Sequence, residues 1–147
     1  MNIVEDNLIR RVLGGQKSLQ RTIRSSMDMH ELIGQGFDYS VYEGVKTFLG
    51  ATDDEMARLL GTSPRKLSYV KRHRKRLSSA QSNRLYRVAK FLAAASNTFG
   101  GRKLGCNWLR TPQTALGDAI PLDLLLTEPG RMEVEALIVR IQHGVLA

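Results

Sequence analysis

Residues 52–71 of the chain read TDDEMARLLGTSPRKLSYVK, and this segment has the spacing of a helix-turn-helix unit. The first helix is predicted to open at Thr52, because a threonine followed three residues later by Glu55 has the spacing of a capping box. Gly61 comes after that helix, where a turn requires a residue that tolerates left-handed backbone geometry. Ser63 then supplies a hydroxyl N-cap for a second helix, with proline at its first position.

A helix-turn-helix also needs a small residue inside its first helix, so that the second helix can cross closely, and Ala57 stands at that place. The apolar residues predicted to seat the second helix on the first are Met56, Leu60, Leu67 and Val70. A DNA major groove admits such a helix, and arginine there can form two hydrogen bonds with guanine. The side chains predicted to contact DNA are Ser63, Arg65, Lys66, Ser68, Tyr69, Lys71, Arg72, Arg74, Lys75, Arg76 and Arg84.

The positive charge of the chain is concentrated in one block. Between Met56 and Gly117 there are fourteen Lys or Arg and no Asp or Glu, whereas residues 1–55 and 118–147 each carry a net charge of −3. This asymmetry indicates that the middle of the chain meets a polyanion. A helical hairpin with a solvated basic face would share the helix–glycine–helix spacing, but the acid-free surroundings favour DNA binding. RNA is the weaker alternative, because no aromatic-rich β platform is visible.

Composition limits the class of protein. The 147 residues are 42% hydrophobic, enough for a packed core of one domain or two small ones. A single cysteine, Cys106, excludes an intrachain disulfide and fits a reducing cytosol. No apolar run approaches the roughly 20 residues of a membrane helix, and the N-terminus has no secretory pattern. A cytoplasmic protein without a membrane partner is expected.

Helix signals are frequent and hairpin signals are scarce, so an all-α fold is predicted. Residues 1–29 are expected to form an N-terminal arm or an extra helix. A short helical turn is predicted at 31–36, at the start of the next segment. Residues 30–99 are predicted to form the helix-turn-helix bundle. After a hinge at the paired glycines 100–101, residues 104–147 are predicted to form a second, smaller helical domain.

Two further helices have clear starts and apolar faces. Ser78 and Gln81 are predicted to cap a long helix, and Thr127 the last one. The residues predicted to point inward are Leu85, Val88, Ala89 and Leu92 on the long helix, and Val134, Leu137, Ile138 and Ile141 on the last.

Catalytic and metal sites are not indicated by the sequence. The three histidines, at positions 30, 73 and 143, are far apart and lack cysteine or histidine partners at metal-ligand spacing. Glu133 and Glu135 lie two residues apart and point to different sides of a helix, which suits a solvated face better than an acid–base pair. Cys106 is expected to be a small buried hydrophobe. We therefore expect no enzyme activity, no metal site and no cofactor.

Residues 104–147 resemble the toxin-binding domain of the Xre/MbcA/ParS antitoxins. The matching elements are Trp108-Leu109, Pro112, Leu116-Gly117, the block Pro121-Leu122-Asp123-Leu124-Leu125, Thr127, Gly130, Val134-Glu135, Arg140-Ile141 and Gly144. The upstream half is also similar to this family, through Leu77-Ser78 and Ser82-Asn83-Arg84-Leu85 after the helix-turn-helix. Two positions depart from the pattern: Cys106 stands near a usual alanine, and Asp118 stands where a second glycine is common.

The resemblance implies a small all-helical antitoxin with an Xre-like helix-turn-helix domain and a toxin-binding or dimerisation domain. Such a protein is expected to form a homodimer and to bind its own promoter DNA. It is also expected to neutralise a cognate RES-domain toxin, an enzyme that degrades NAD, by covering the active site of the toxin. The residues then expected at the toxin interface are Pro121, Leu122, Asp123, Glu135, Val139, His143, Gly144, Val145, Leu146 and Ala147.

Two alternatives stay open at the level of the sequence. The C-terminal residues could cap the protein's own core or form a dimer seam. The chain could then be a stand-alone transcriptional regulator or partition accessory protein whose C-terminal domain only self-associates.

Overall fold

The computed structural model describes residues 6–144, and within that range regular structure is helical. Apart from a short 3₁₀ turn at Thr114–Leu116 and one isolated bridge between Gln113 and Ala119, the described chain is helices and connecting turns. The all-α prediction is confirmed. The helices are α1 (Asp6–Val12), α2 (Gly15–Leu19), α3 (Ser26–Gln35), α4 (Tyr39–Leu49), α5 (Asp53–Leu60), α6 (Pro64–Arg72), α7 (Ser79–Phe99), α8 (Arg102–Arg110), α9 (Pro121–Leu124) and α10 (Glu128–Gln142).

The chain divides into two compact units. The N-terminal unit is Arg10–Ala89, and the C-terminal unit contains the described residues 90–144 together with 6–9. The division therefore falls inside α7, whereas the sequence placed a hinge at the paired glycines after this helix. A helix of 21 residues without internal Gly or Pro can contribute its two halves to different cores.

The helix before α4 is longer than the sequence predicted. We predicted a short turn at 31–36, but α3 begins at Ser26 because Ser25 caps it. The Ser25 hydroxyl accepts a hydrogen bond from the Asp28 backbone N–H (3.1 Å), and the Asp28 carboxylate accepts one from the Arg24 N–H (2.8 Å). These hydrogen bonds satisfy donors that the first helical turn would otherwise leave unpaired.

A buried junction joins the α3–α4 connection to the start of α7. The Phe37 N–H donates to the hydroxyl of Ser82 (2.8 Å), which is fully buried, and the Leu77 N–H donates to the Phe37 carbonyl (2.9 Å). A Cβ at Gly36, where φ is +96°, would collide with the Leu77 carbonyl. The predicted cap of α7 is confirmed by two reciprocal hydrogen bonds. The Ser78 hydroxyl accepts from the Gln81 N–H, and the Gln81 side-chain oxygen accepts from the Ser78 N–H.

The C-terminal unit is organised around the second half of α7. Residues 91–96 are buried without interruption, so this part of the helix is enclosed on all sides. Helix α8 crosses it closely at Gly105, where a Cβ would lie 2.5 Å from the Ser96 nitrogen. Of the predicted inward residues of α10, Val134, Leu137 and Ile138 are buried and Ile141 is half-buried. Within the described residues, no helix has the length and apolar composition needed to cross a membrane.

We expect Ser82→Ala to destabilise the protein by about 1–3 kcal/mol, because the Phe37 N–H would keep its buried position and lose its acceptor. Urea denaturation followed by circular dichroism measures this free energy of unfolding. Ser79→Ala, an exposed serine three residues earlier on the same helix, is the matched control. Equal stabilities for the two variants would contradict the assigned role of the hydroxyl.

Candidate nucleic-acid interface and partner surface

The helix-turn-helix forms as its sequence predicts. Thr52 caps α5 by accepting from the Glu55 N–H (3.2 Å), and Ser63 caps α6 by accepting from the Lys66 N–H (3.2 Å). Gly61 ends α5 in the left-handed conformation, with φ of 68°. Of the residues predicted to seat α6, Met56, Leu60 and Leu67 are buried and Val70 is only half-buried. The small residue Ala57 is buried as well.

One face of α6 is available to a major groove. Arg65, Ser68, Tyr69 and Arg72 follow the i, i+3, i+4, i+7 spacing, lie opposite the buried Leu67, and are exposed. This face combines two guanidinium groups with a hydroxyl and a phenol. Such groups can donate hydrogen bonds to base edges and to phosphates. Lys66 and Lys71 are exposed at its two sides.

The aromatic side chain on this face is held in place by its neighbours. The Tyr69 ring stacks on His73 with 4.0 Å between centroids, and the ammonium of Lys75 lies 5.5 Å from the same ring centroid. The His73 Nδ1 lies 3.0 Å from the Tyr69 carbonyl oxygen, as expected for the Nδ1–H tautomer donating to it. Tyr69 therefore presents its hydroxyl from a supported ring.

Lys71 connects α6, the second helix of the helix-turn-helix and called its recognition helix, to α4. Its ammonium lies 3.8 Å from the Glu43 carboxylate and 5.8 Å from the Tyr39 ring centroid. Because both charged groups are exposed, water screens this ion pair and its contribution to stability is small. A DNA phosphate would compete with Glu43 for Lys71.

The end of α6 holds an arginine in a conformation that favours glycine. Arg74 has φ of 49°, its N–H donates to the Lys71 carbonyl (3.2 Å), and the following Lys75 N–H donates to the Val70 carbonyl (3.0 Å). This pair of hydrogen bonds is a Schellman motif, whose left-handed position is usually glycine. The side chain at Arg74 is therefore present despite a backbone penalty, and it is exposed beside the recognition helix.

Two of the arginines predicted to contact DNA also have contacts within the N-terminal unit. Arg76 donates from Nη1 to the Gly36 carbonyl (2.8 Å) and from Nη2 to the Gln20 side-chain oxygen (3.1 Å), so its guanidinium is engaged within the N-terminal unit. Arg84 lies directly against Gly61, where any Cβ would overlap its Nη1. Both side chains are also exposed, and their contact with DNA stays a prediction.

A carboxylate at the start of α5 fixes that helix to α4. Asp53 accepts from the Tyr42 hydroxyl (2.6 Å) and pairs with the Lys46 ammonium (2.8 Å). The hydrogen bonds from Lys46 and Tyr42 hold the pKa of the Asp53 carboxyl below its usual value, while burial, followed by the Asp53 hydrogen bond, raises the pKa of Tyr42. The carboxylate stabilises the fold at neutral pH, and that contribution is lost as pH falls through its lowered pKa.

The C-terminal residues predicted to contact a partner fall into three groups: buried, at the surface, and outside the described residues. Pro121 and Leu122 are buried in the C-terminal unit, so their side chains support the surface and do not form it. Proline at the first position of α9 starts that helix, which explains why the motif requires it. Val145, Leu146 and Ala147 lie outside the described residues. The predicted residues that reach the surface are Asp123, Glu135, Val139, His143 and Gly144, with Glu135 and Val139 half-exposed.

Sequence reasoning missed three exposed apolar side chains of the C-terminal unit. Leu104 on α8 is 57% exposed, Leu126 before α10 is 42% exposed, and Met132 on α10 is 58% exposed. Met132 and Val139 lie seven residues apart on the side of α10 opposite its buried face. The helical periodicity of α10 could have predicted the exposure of Met132, because it places this residue on the side of the helix away from the buried residues.

The described residues contain no group of three or more His, Cys, Asp or Glu placed to hold a metal ion. Cys106 is buried in α8, and this burial raises the pKa of its thiol. A thiol in that state is a poor nucleophile at neutral pH.

Comparison with known proteins agrees with this geometry. Residues 28–90 match the antitoxin Xre-like helix-turn-helix domain, and residues 94–144 match the antitoxin Xre/MbcA/ParS C-terminal toxin-binding domain. The antitoxin Xre of Yersinia enterocolitica is 34% identical over 116 residues, which is 78% of either chain. This chain belongs to the Xre antitoxin family.

Two further relatives extend the comparison. The antitoxin Xre of Photorhabdus laumondii is 23% identical over 145 residues, covering 98% of this antitoxin and 94% of the relative. A chain in the crystal structure of the M. tuberculosis MbcT–MbcA toxin–antitoxin complex is similar in structure, with a TM-score of 0.55 and 25% identity over 74% of this chain and 96% of that one.

Two departures from the family pattern have local explanations in this antitoxin. Asp118 follows Gly117 in the left-handed conformation, with φ of 64° and 66° respectively. Aspartate is one of the few non-glycine residues that adopt this geometry readily. Cys106 is buried in α8 as a small apolar side chain, next to the crossing point at Gly105.

We expect Arg74→Gly to stabilise the antitoxin by roughly 0.5–1 kcal/mol, because glycine removes the left-handed penalty at the end of α6. The same variant should weaken DNA binding equally on all sequences, since a phosphate contact carries no base information. Thermal denaturation and fluorescence anisotropy with two unrelated duplexes measure the two effects. An affinity unchanged by the substitution would mean that the arginine does not serve DNA.

Proposed function

We propose that this antitoxin binds and neutralises a RES-domain toxin that degrades NAD, and that it represses its own promoter. The observation that carries the toxin half of the proposal is the coincidence of two ranges. The toxin-binding domain match covers residues 94–144, and the C-terminal unit begins at Lys90. A separate compact unit with a surface of its own suits a protein-binding task.

The toxin surface in this proposal is the C-terminal end of α10 together with the last residues of the chain. Glu135, Val139 and His143 lie at i, i+4 and i+8 and reach the surface. The residues 145–147 continue from this end and supply apolar side chains that can enter a cleft. Inhibition then works by steric occlusion of the substrate site and needs no chemistry from the antitoxin, so we propose that it is not an enzyme.

The DNA half of the proposal depends on the exposed face of α6. If six to eight phosphates are neutralised, the logarithm of the binding constant should fall with the logarithm of salt concentration with a slope of roughly −5 to −7. We propose that a homodimer presents two such helices to half-sites about 34 Å apart, one helical turn of DNA. These activities place the antitoxin in the cytoplasm, with DNA and toxin.

We expect Arg65→Ala to weaken promoter binding by about 1–3 kcal/mol and to relax the preference for one base, because arginine at this place can pair with guanine through two hydrogen bonds. Toxin neutralisation should stay intact. The measurements are DNA anisotropy on single-base promoter variants and NAD content of cells that co-express a RES-domain toxin. Lys17→Ala, an exposed basic residue on α2, is the charge-matched control. An equal loss on every promoter variant would make Arg65 a phosphate contact.

Removal of residues 145–147 should affect toxin neutralisation and not DNA binding, the opposite of Arg65→Ala. We expect DNA binding to be unchanged and the NAD content of toxin-expressing cells to fall, because the cleft would no longer be filled. Full protection by the shortened protein would contradict the role of these residues and leave occlusion to α10 itself. Failure of the intact chain to protect, with promoter binding retained, would favour the stand-alone regulator.

A further inference from the structure

Two surface patches of the C-terminal unit have no place in the toxin interface proposed above. The first is on α8, where Lys103 and Leu104 are exposed next to each other. The half-buried rings of Trp108 and Phe99 stack with 4.9 Å between centroids in the same region of the chain. An exposed leucine near surface aromatic rings forms an apolar patch, and such patches can mark protein interfaces.

The second patch is at the start of α10. Met132 and Glu133 are adjacent exposed residues, and Leu126 and Glu128 are exposed just before them. Met132 and His143 are eleven residues apart on the helix, which corresponds to roughly 16 Å along its axis. The second patch is therefore separated from His143 at the other end of α10, whereas Glu135 of the proposed toxin surface lies only three residues after Met132.

The two patches are complementary. Lys103 gives the first patch a positive charge, and Glu128 and Glu133 give the second patch a negative charge. Each patch also has one large apolar residue more than half exposed, at 57% for Leu104 and 58% for Met132. Apolar centres with opposite charges beside them fit each other, and like charges would disfavour pairing either patch with itself.

The arrangement of the unit allows both contacts to form at once between two copies. Helix α9 packs against both α8 and α10. In a two-fold dimer that pairs α8 of one copy with α10 of the other, symmetry makes this contact twice.

We propose that the antitoxin homodimer is formed by this reciprocal contact, with Lys103 and Leu104 of one copy packed on Met132 and Glu133 of the second. This seam rests on the homodimer in the proposed function, and it assigns that dimer to the C-terminal units. It also leaves the far end of α10 and the recognition helices outside the seam.

Charge exchange tests the seam directly. Analytical ultracentrifugation of the full chain at low salt gives the dimer dissociation constant. We expect Lys103→Glu and Glu133→Lys each to raise that constant about tenfold, because a reversed charge is met twice by symmetry. The double variant, with both substitutions in one chain, should restore dimerisation by exchanging the partners. Lys17→Glu on α2 is the charge-matched control and should leave the dissociation constant unchanged.

The double variant keeps the test independent of folding defects, since damage to the fold would not be reversed by a second substitution. The seam would be overturned if neither single charge substitution changes the dissociation constant of the dimer, or if the double variant does not restore it. The proposed homodimer would stand in either case. A chain that stays monomeric at all concentrations would overturn both. If Lys103→Glu weakens binding to a RES-domain toxin and leaves self-association unchanged, α8 serves the toxin and the seam is wrong.

Discussion

The left-handed turn at Gly61 determines where the recognition helix lies. At φ of 68° the chain leaves α5, and two residues later Ser63 caps α6. The guanidinium of Arg84 occupies the space that a side chain at Gly61 would need. Glycine is therefore required there for two independent reasons, its backbone conformation and the close approach of an arginine from α7. The exposed face of α6 exists because this turn directs Leu67 inward and Arg65 outward.

Charge is distributed in accordance with the two tasks proposed for the chain. The phosphates of duplex DNA repel carboxylate side chains, and the block from Met56 to Gly117 contains no Asp or Glu. A protein surface tolerates both signs, and α10 carries glutamates beside apolar residues. The left-handed Arg74 belongs to the same pattern, since a cation is kept where glycine would fold more easily. Backbone strain of this kind is common at functional positions.

The local rules of helix capping recovered much of the fold from the sequence. Thr52, Ser63, Ser78 and Thr127 start helices where they were expected, because a hydroxyl N-cap and the spacing behind it are short-range features. The start of α3 was missed, although Ser25 and Asp28 offered the same kind of signal. What could not be predicted was long-range: Arg76 reaches a carbonyl 40 positions away, and Ser82 a backbone N–H 45 positions away. The sequence also did not predict which residues of the C-terminal motif are buried, since Pro121 and Leu122 were expected at the toxin interface and lie in the core of the C-terminal unit.

Separate surfaces for DNA and for a toxin on one chain are the central feature of the proposed antitoxin. Native mass spectrometry of the antitoxin mixed with its promoter duplex and the cognate toxin tests this separation most directly. We predict a species whose mass contains all three components, because the α6 face and the end of α10 belong to different compact units. A spectrum with only binary complexes, in which added toxin displaces the duplex, would contradict it.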